Sequence, residues 1–254
     1  MFDRIITFVN FEPWLFAVIT GVCLLAGIVR GFTGFGYSAV LVAIVAVFLA
    51  PIELLPIALI LEAAASLFLL RGTWRDAEYR IVLMFLLGSL FGYPAGLSLT
   101  MALDPEVSKI AALGLILFLV TALLMNWIPP VKKTWVVLAP VGFMASFASG
   151  IAGVGGLVYA AVFLALQLPP KIMRATIVLH LLISLIYSIS AQTVMGVMDE
   201  VALARGVALI PITLLGVWIG KQFFVPGTEK YYRRICMGFL VIVTLLGLGR
   251  LILF

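Results

Sequence analysis

Gly31-Phe32-Thr33-Gly34-Phe35-Gly36 and, past the midpoint, Gly150-Ile151-Ala152-Gly153-Val154-Gly155 carry one glycine spacing twice. Each copy lies between long apolar runs, and a proline, Pro51 or Pro170, follows fifteen residues after its last glycine. An offset of 119 maps Gly31, Gly34, Gly36 and Pro51 onto Gly150, Gly153, Gly155 and Pro170. Beyond a longer loop the offset becomes 124, and Gly92, Gly96 and Gly114 map onto Gly216, Gly220 and Gly238. Seven matches in register, in a chain with 23 glycines, divide it into two related units, residues 1–130 and 131–254.

The solvent for both units is lipid. Apolar residues make up 65% of the chain and charged residues 11%, with a mean hydropathy of +1.28; soluble domains carry about 25% charged residues. Apolar runs recur at about 14–29, 35–50, 52–70, 81–101, 107–128, 135–149, 157–168, 172–195, 201–224 and 235–254. They are continuously apolar rather than alternating, which excludes a transmembrane β-barrel and predicts an all-α, polytopic membrane protein. Several reach the roughly 20 residues a spanning helix needs, while 35–50 and 157–168 fall short. The net charge of +5 comes from single residues scattered through loops, with no basic face for nucleic acid.

Each unit holds five apolar segments, an odd number, so the second must cross the membrane in the opposite sense. Loop charges test this. If Arg71, Arg75 and Arg80 are cytoplasmic, alternation puts Lys132, Lys133, Lys171, Arg174, Lys221, Lys230, Arg233 and Arg234 on the same side. Asp104, Glu106, Asp199, Glu200, Glu53 and both termini fall on the other, which is the positive-inside pattern. The expected architecture is therefore two inverted repeats in a multi-pass membrane protein.

The glycine clusters match neither the dinucleotide fingerprint nor a P-loop. Glycines offer a sharp turn, close backbone approach and amides free to face a ligand. The first two segments of each unit are read as a hairpin of shortened helices with the cluster at its tip. The helix that starts after each cluster aims its positive end at the turn. Such a turn at membrane depth must be buried in protein or line a polar cavity, and paired breaks of this kind are where transporters place their substrates. The candidate anion-binding residues are Arg30, Gly31, Thr33, Gly34 and Gly36 with Ser149, Gly150, Gly153, Gly155 and Gly156. Arg30 inside the membrane requires a carboxylate or an anionic ligand; its counterpart is Ser149, which makes the pocket asymmetric.

Glu62 and His180 fall at nearly equivalent depths in paired segments and are the candidates for proton coupling, against a purely structural role or Glu62 neutralising Arg30. Tyr37, Ser38, Ser146, Tyr159, Gln167 and Gln192 are expected either to line a pocket or to hydrogen-bond between helices. Ser149 with His180 is the nearest thing to a Ser–His dyad, but a nucleophile has no reason to sit in a duplicated motif. Cys23 and Cys236 are read as inert buried thiols. No catalytic, metal or cofactor motif is found.

The stretch Gly27-Ile28-Val29-Arg30-Gly31-Phe32-Thr33-Gly34-Phe35-Gly36, together with Ser149-Gly150-Ile151-Ala152-Gly153-Val154-Gly155-Gly156, Pro51 and Pro169-Pro170, resembles the sulfite exporter TauE/SafE family, also called the toluene sulfonate uptake permease family. The resemblance spans essentially the whole chain. It implies a multi-pass permease of the bacterial inner membrane, built from duplicated halves, that moves a small, often sulfur-containing anion such as sulfite, a sulfonate or sulfoacetate. Tyr37 stands where many relatives carry a further glycine, as Gly156 does in the second copy. The expected function is secondary transport driven by a proton or ion gradient, with an anion channel or uniporter of the same fold as the alternative. The expected partners are the small anion and the lipid bilayer; a homodimer is left open.

Overall fold

The computed structural model describes residues 11–46, 48–71, 73–125 and 131–225, with positions 231, 235 and 238 beyond them. Nine α-helices form among these residues: α1 (Pro13–Thr33), α2 (Tyr37–Val45), α3 (Pro51–Leu70), α4 (Tyr79–Ala102), α5 (Pro105–Leu124), α6 (Trp135–Ala152), α7 (Gly155–Ala165), α8 (Pro170–Val194) and α9 (Glu200–Gln222). No strand occurs among the described residues. Six helices, α1, α3, α4, α6, α8 and α9, are long and apolar enough to cross a bilayer. Apart from positions 235 and 238, the run 235–254, with Cys236, lies outside the described residues, as do the basic residues Lys230, Arg233 and Arg234.

Proline and glycine set the helix boundaries. Pro51 and Pro170 open α3 and α8 in the first turn, where their missing N–H breaks no helical hydrogen bond. α1 ends at Gly34 (φ 87°) and α6 at Gly153 (φ 68°). Each glycine N–H bonds back to a carbonyl four residues earlier, Arg30 or Ser149, at 2.8 Å, a left-handed cap that glycine adopts without strain. These caps correct the expectation that both segments of each hairpin are shortened. With 21 and 18 residues, α1 and α6 are long enough to span. Only α2 and α7, with 9 and 11 residues, are short, about 14 and 17 Å of helix against a hydrocarbon core of about 30 Å.

Close helix packing follows both sequence offsets. Gly216 and Gly220 of α9 rest on the backbone of Leu24 and Ile28 in α1, while Gly92 and Gly96 of α4 rest on Phe143 and Phe147 in α6. In the reverse direction Gly31 rests on Val217, as Gly150 rests on Tyr93. Every α1 residue in these contacts is 119 positions from its α6 counterpart, and every α9 residue 124 from its α4 counterpart. Each contact also crosses between residues 1–130 and 131–254, so the fourth helix of either stretch, α4 or α9, packs on the first helix of the other. At all six glycines a Cβ would overlap the facing backbone, and lipid supplies no hydrophobic drive to hold a pushed-apart pair together. Gly216→Val is accordingly expected to cost at least about 1–3 kcal/mol. A clear fall in melting temperature in detergent would register it, with Gly114→Val, where a Cβ meets nothing within 4 Å, as the neutral control.

Charge is segregated between the helix ends. Lys133 pairs with Glu78 at 3.2 Å and Lys171 with Asp76 at 3.0 Å, gathering the connections after α3, before α6 and before α8. Arg71 and Lys221 line one groove at this same end. At the other end Glu53 pairs with Arg205 at 3.5 Å beside Asp199 and Met101. Two basic residues depart from the simple pattern. Lys109 and Arg205 belong to the acidic end, each paired with a glutamate.

Candidate functional site at the paired helix turns

The two turns touch. A Cβ placed on Gly156 would lie 3.6 Å from the Gly36 nitrogen and 3.9 Å from the Phe35 Cβ. Gly153 faces the Ser38 Cβ at 3.1 Å, with Leu55 and Val42 beyond it, whereas Gly34 faces the Arg174 Cγ at 3.1 Å, then Ile177 and Val178. Leu55 and Arg174 are themselves 119 residues apart. One contact is thus made twice, with a leucine against the second turn and an arginine against the first. Burial differs in the same sense: Arg30, Gly31, Thr33, Gly34 and Gly36 are buried, as are Gly150 and Gly155, but Ser149, Gly153 and Gly156 are half-buried.

The first turn is locked from within. The Thr33 hydroxyl lies 2.8 Å from the carbonyls of Val29 and Phe35 and accepts the Phe35 N–H at 3.2 Å, so this side chain shapes the turn. Arg174 donates from Nη2 to the Gly31 carbonyl at 2.5 Å and from Nε to Phe32 at 3.1 Å, and its guanidinium lies 4.6 Å from the Phe224 ring centre. It is only 3% exposed. The sequence reading of Arg174 as a loop charge is therefore corrected. It stands in the second turn of α8 and cancels the unpaired carbonyls and negative pole at the end of α1.

Arg30 is fully buried. Its Nη2 donates to Ser66 Oγ in α3 at 2.6 Å, while Nε and Nη1 have no hydrogen-bond partner. Among the described residues no carboxylate lies within 4 Å of it. Glu62, one helical turn before Ser66, turns instead to α2 and accepts the Ser38 N–H on Oε1 at 3.4 Å. Glu62 thus forms no direct ion pair with Arg30, and one of the first amides of α2 already meets a carboxylate of the chain.

His180 is fully buried against the Tyr159 ring, with centroids 4.3 Å apart, and against Phe85 at 5.5 Å. His180 bonds neither to Glu62 nor to Ser149, so the Ser–His dyad is not formed. The remaining hydroxyls tie helices together. Tyr37 pairs with Thr213 at 2.8 Å and Tyr159 with Ser89 at 2.8 Å, while Ser146 reaches Tyr159 at 3.2 Å and Tyr187 at 3.3 Å. Gln192 donates to the Tyr93 hydroxyl at 2.7 Å; Gln167 is exposed. Sequence reasoning missed Ser66, Ser89, Thr213 and the capping role of Arg174. Ser89 and Thr213 are 124 residues apart, so the offset itself was a signal that a small hydroxyl recurs at one depth.

A family model described as Sulfite exporter TauE/SafE matches residues 19–246. The chain belongs to that family. The match covers both glycine turns and the helices that carry Arg30, Glu62 and His180, and with six candidate spans it makes the chain a multi-pass membrane protein of a permease family. Members of the sulfite exporter family are transporters rather than enzymes. No curated protein and no solved structure matches the chain.

Proposed function

We propose that this protein carries a small sulfur oxyanion, of the sulfite or sulfonate class, across a bacterial inner membrane by alternating access. One observation carries the reading: Arg30, in the last turn of α1 before the first glycine turn, is fully enclosed with two guanidinium nitrogens unpartnered. An unpaired guanidinium inside a membrane is costly, by at least about 2.5 kcal/mol. A planar fork of donors that the chain's own atoms leave unsatisfied is matched by a ligand with two acceptor oxygens. Thr33, Gly31, Gly34 and Gly36 shape the wall around it, and Gly150, Gly153, Gly155, Gly156 and Ser149 form the opposing turn.

The glycine contacts that repeat at offsets of 119 and 124 support two units of inverted sense. On this reading the units exchange roles as the protein opens to one side and then the other. The end bearing Arg71, Lys133, Lys171 and Lys221 faces the cytoplasm. The family's name supports sulfite as cargo and export as the direction. Flux of sulfite, a sulfonate, sulfoacetate, sulfate and acetate into proteoliposomes tests the proposal. Saturable flux of sulfur oxyanions, at least tenfold over acetate (about 1.4 kcal/mol of discrimination), is the expected result. Flux that rises linearly with concentration would assign a channel, and no sulfur-oxyanion flux would reject the reading.

A further inference from the structure

α3 and α9 run side by side, joined at one end by Glu53–Arg205 and at the other by Lys221, whose Nζ lies 5.6 Å from the Phe68 ring centre. They touch where Gly206 meets Ile60 and part toward their C-termini. There a groove of about 450 Å³ opens, lined by Ala64, Leu67, Phe68, Arg71, Leu214 and Lys221. Its flank is apolar and faces outward, with Leu67 58% exposed. Its mouth holds two cations, Arg71 and Lys221, and no carboxylate lines it. Neither cation forms an ion pair among the described residues.

We infer that this groove binds an anionic phospholipid, its phosphodiester held by Arg71 and Lys221 and one acyl chain lying along Leu67, Phe68 and Leu214. Two observations select that occupant over a free anion. The cations sit at the membrane end of an apolar trough about two helical turns long, as a headgroup and its tail require. Leu67, which lines the trough, is also more than half exposed on the flank of the bundle, where lipid would be. Basic pairs between helices at the positive end of a membrane protein suit anionic headgroups, and both cations sit at helix C-termini on that end. The site is independent of the transported substrate.

Thermal unfolding of the purified full-length protein in detergent, titrated with phosphatidylglycerol, phosphatidylcholine or inorganic phosphate, tests the inference. Phosphatidylglycerol is expected to raise the melting temperature saturably, and the other two are not. The double variant Arg71→Gln/Lys221→Gln is expected to bind phosphatidylglycerol about thirtyfold more weakly, from about 1 kcal/mol for each basic group and 1.4 kcal/mol per tenfold. Leu67→Trp, which fills the trough at an exposed position and keeps both charges, is expected to weaken phosphatidylglycerol binding as well. An unchanged titration in both variants, an equal shift with phosphatidylcholine, or the full shift with inorganic phosphate would overturn it. Should the double variant not fold, the Leu67→Trp titration decides alone.

Discussion

Arg30→Met is expected to abolish sulfur-oxyanion flux while leaving the protein at least as heat-stable as the wild type. The two effects separate because they arise from different properties of one side chain. In the structure Arg30 contributes a single hydrogen bond, to Ser66, and leaves two donors unmet in a fully enclosed position. Methionine has similar reach, fills the space and removes the cost of enclosing a charge; exchanging a buried charge for a well-packed apolar residue is often neutral or stabilising. Ser66 loses a partner, but a helical serine can turn to the carbonyl four residues earlier. Transport is another matter. If the guanidinium holds two anion oxygens, each charged hydrogen bond contributes about 1.5–3 kcal/mol. Losing both weakens binding by two orders of magnitude or more. Arg30→Lys, which restores charge without the fork, is expected to fall between. Parallel measurement of melting temperature and proteoliposome flux checks this. A variant that loses stability and flux together would make Arg30 a structural residue, and undiminished flux would remove it from the site.

The repeated glycine contacts were legible because lipid forces them onto the sequence. Where two helices approach backbone to backbone no Cβ fits, so Gly92/Gly96 and Gly216/Gly220 have to be glycine, and their spacing survives as an offset. Loop charges were legible for the related reason that charge is held at the ends of apolar helices. The site was less so. Arg30 looked like the end of an apolar run, yet α1 continues through it to Thr33, because neighbouring helices and not lipid surround its charge. Arg174 looked like a loop residue, yet the helix that Pro170 opens already includes it. The partners that define the site, Ser66 for Arg30, Ser38 for Glu62 and Gly31 for Arg174, stand 36, 24 and 143 residues away in sequence. Helical periodicity carries no information about pairings between helices that cross. Glu62 shows the consequence. Its depth was readable, but its choice of the α2 amide over the Arg30 guanidinium was not.

That choice sets the second large effect, in Glu62→Gln. Glu62 is half-buried in α3 and directs Oε1 to the Ser38 N–H in the first turn of α2, a position that favours negative charge. The proposed substrate is also an anion, and it is drawn to the same helix end and to Arg30 close by. Two negative charges a few ångströms apart in a medium drier than water repel by several kcal/mol. If coupling runs through Glu62, as the sequence suggested, the carboxylate gains a proton when the anion binds and one proton crosses with each anion. Glutamine keeps the shape and the acceptor oxygen but is fixed in the neutral form. Glu62→Gln should then bind substrate at least as well as the wild type and exchange labelled for unlabelled anion across the membrane. It should fail to concentrate the anion against its gradient when a pH difference is the only driving force. His180→Phe serves as the comparison: the histidine touches Tyr159 and Phe85 and makes no hydrogen bond to Glu62, so loss of coupling in the glutamine variant alone assigns the proton to Glu62. Accumulation driven by pH that is undiminished in Glu62→Gln would take the carboxylate out of the coupling step, and loss of exchange as well would make it a residue of the fold.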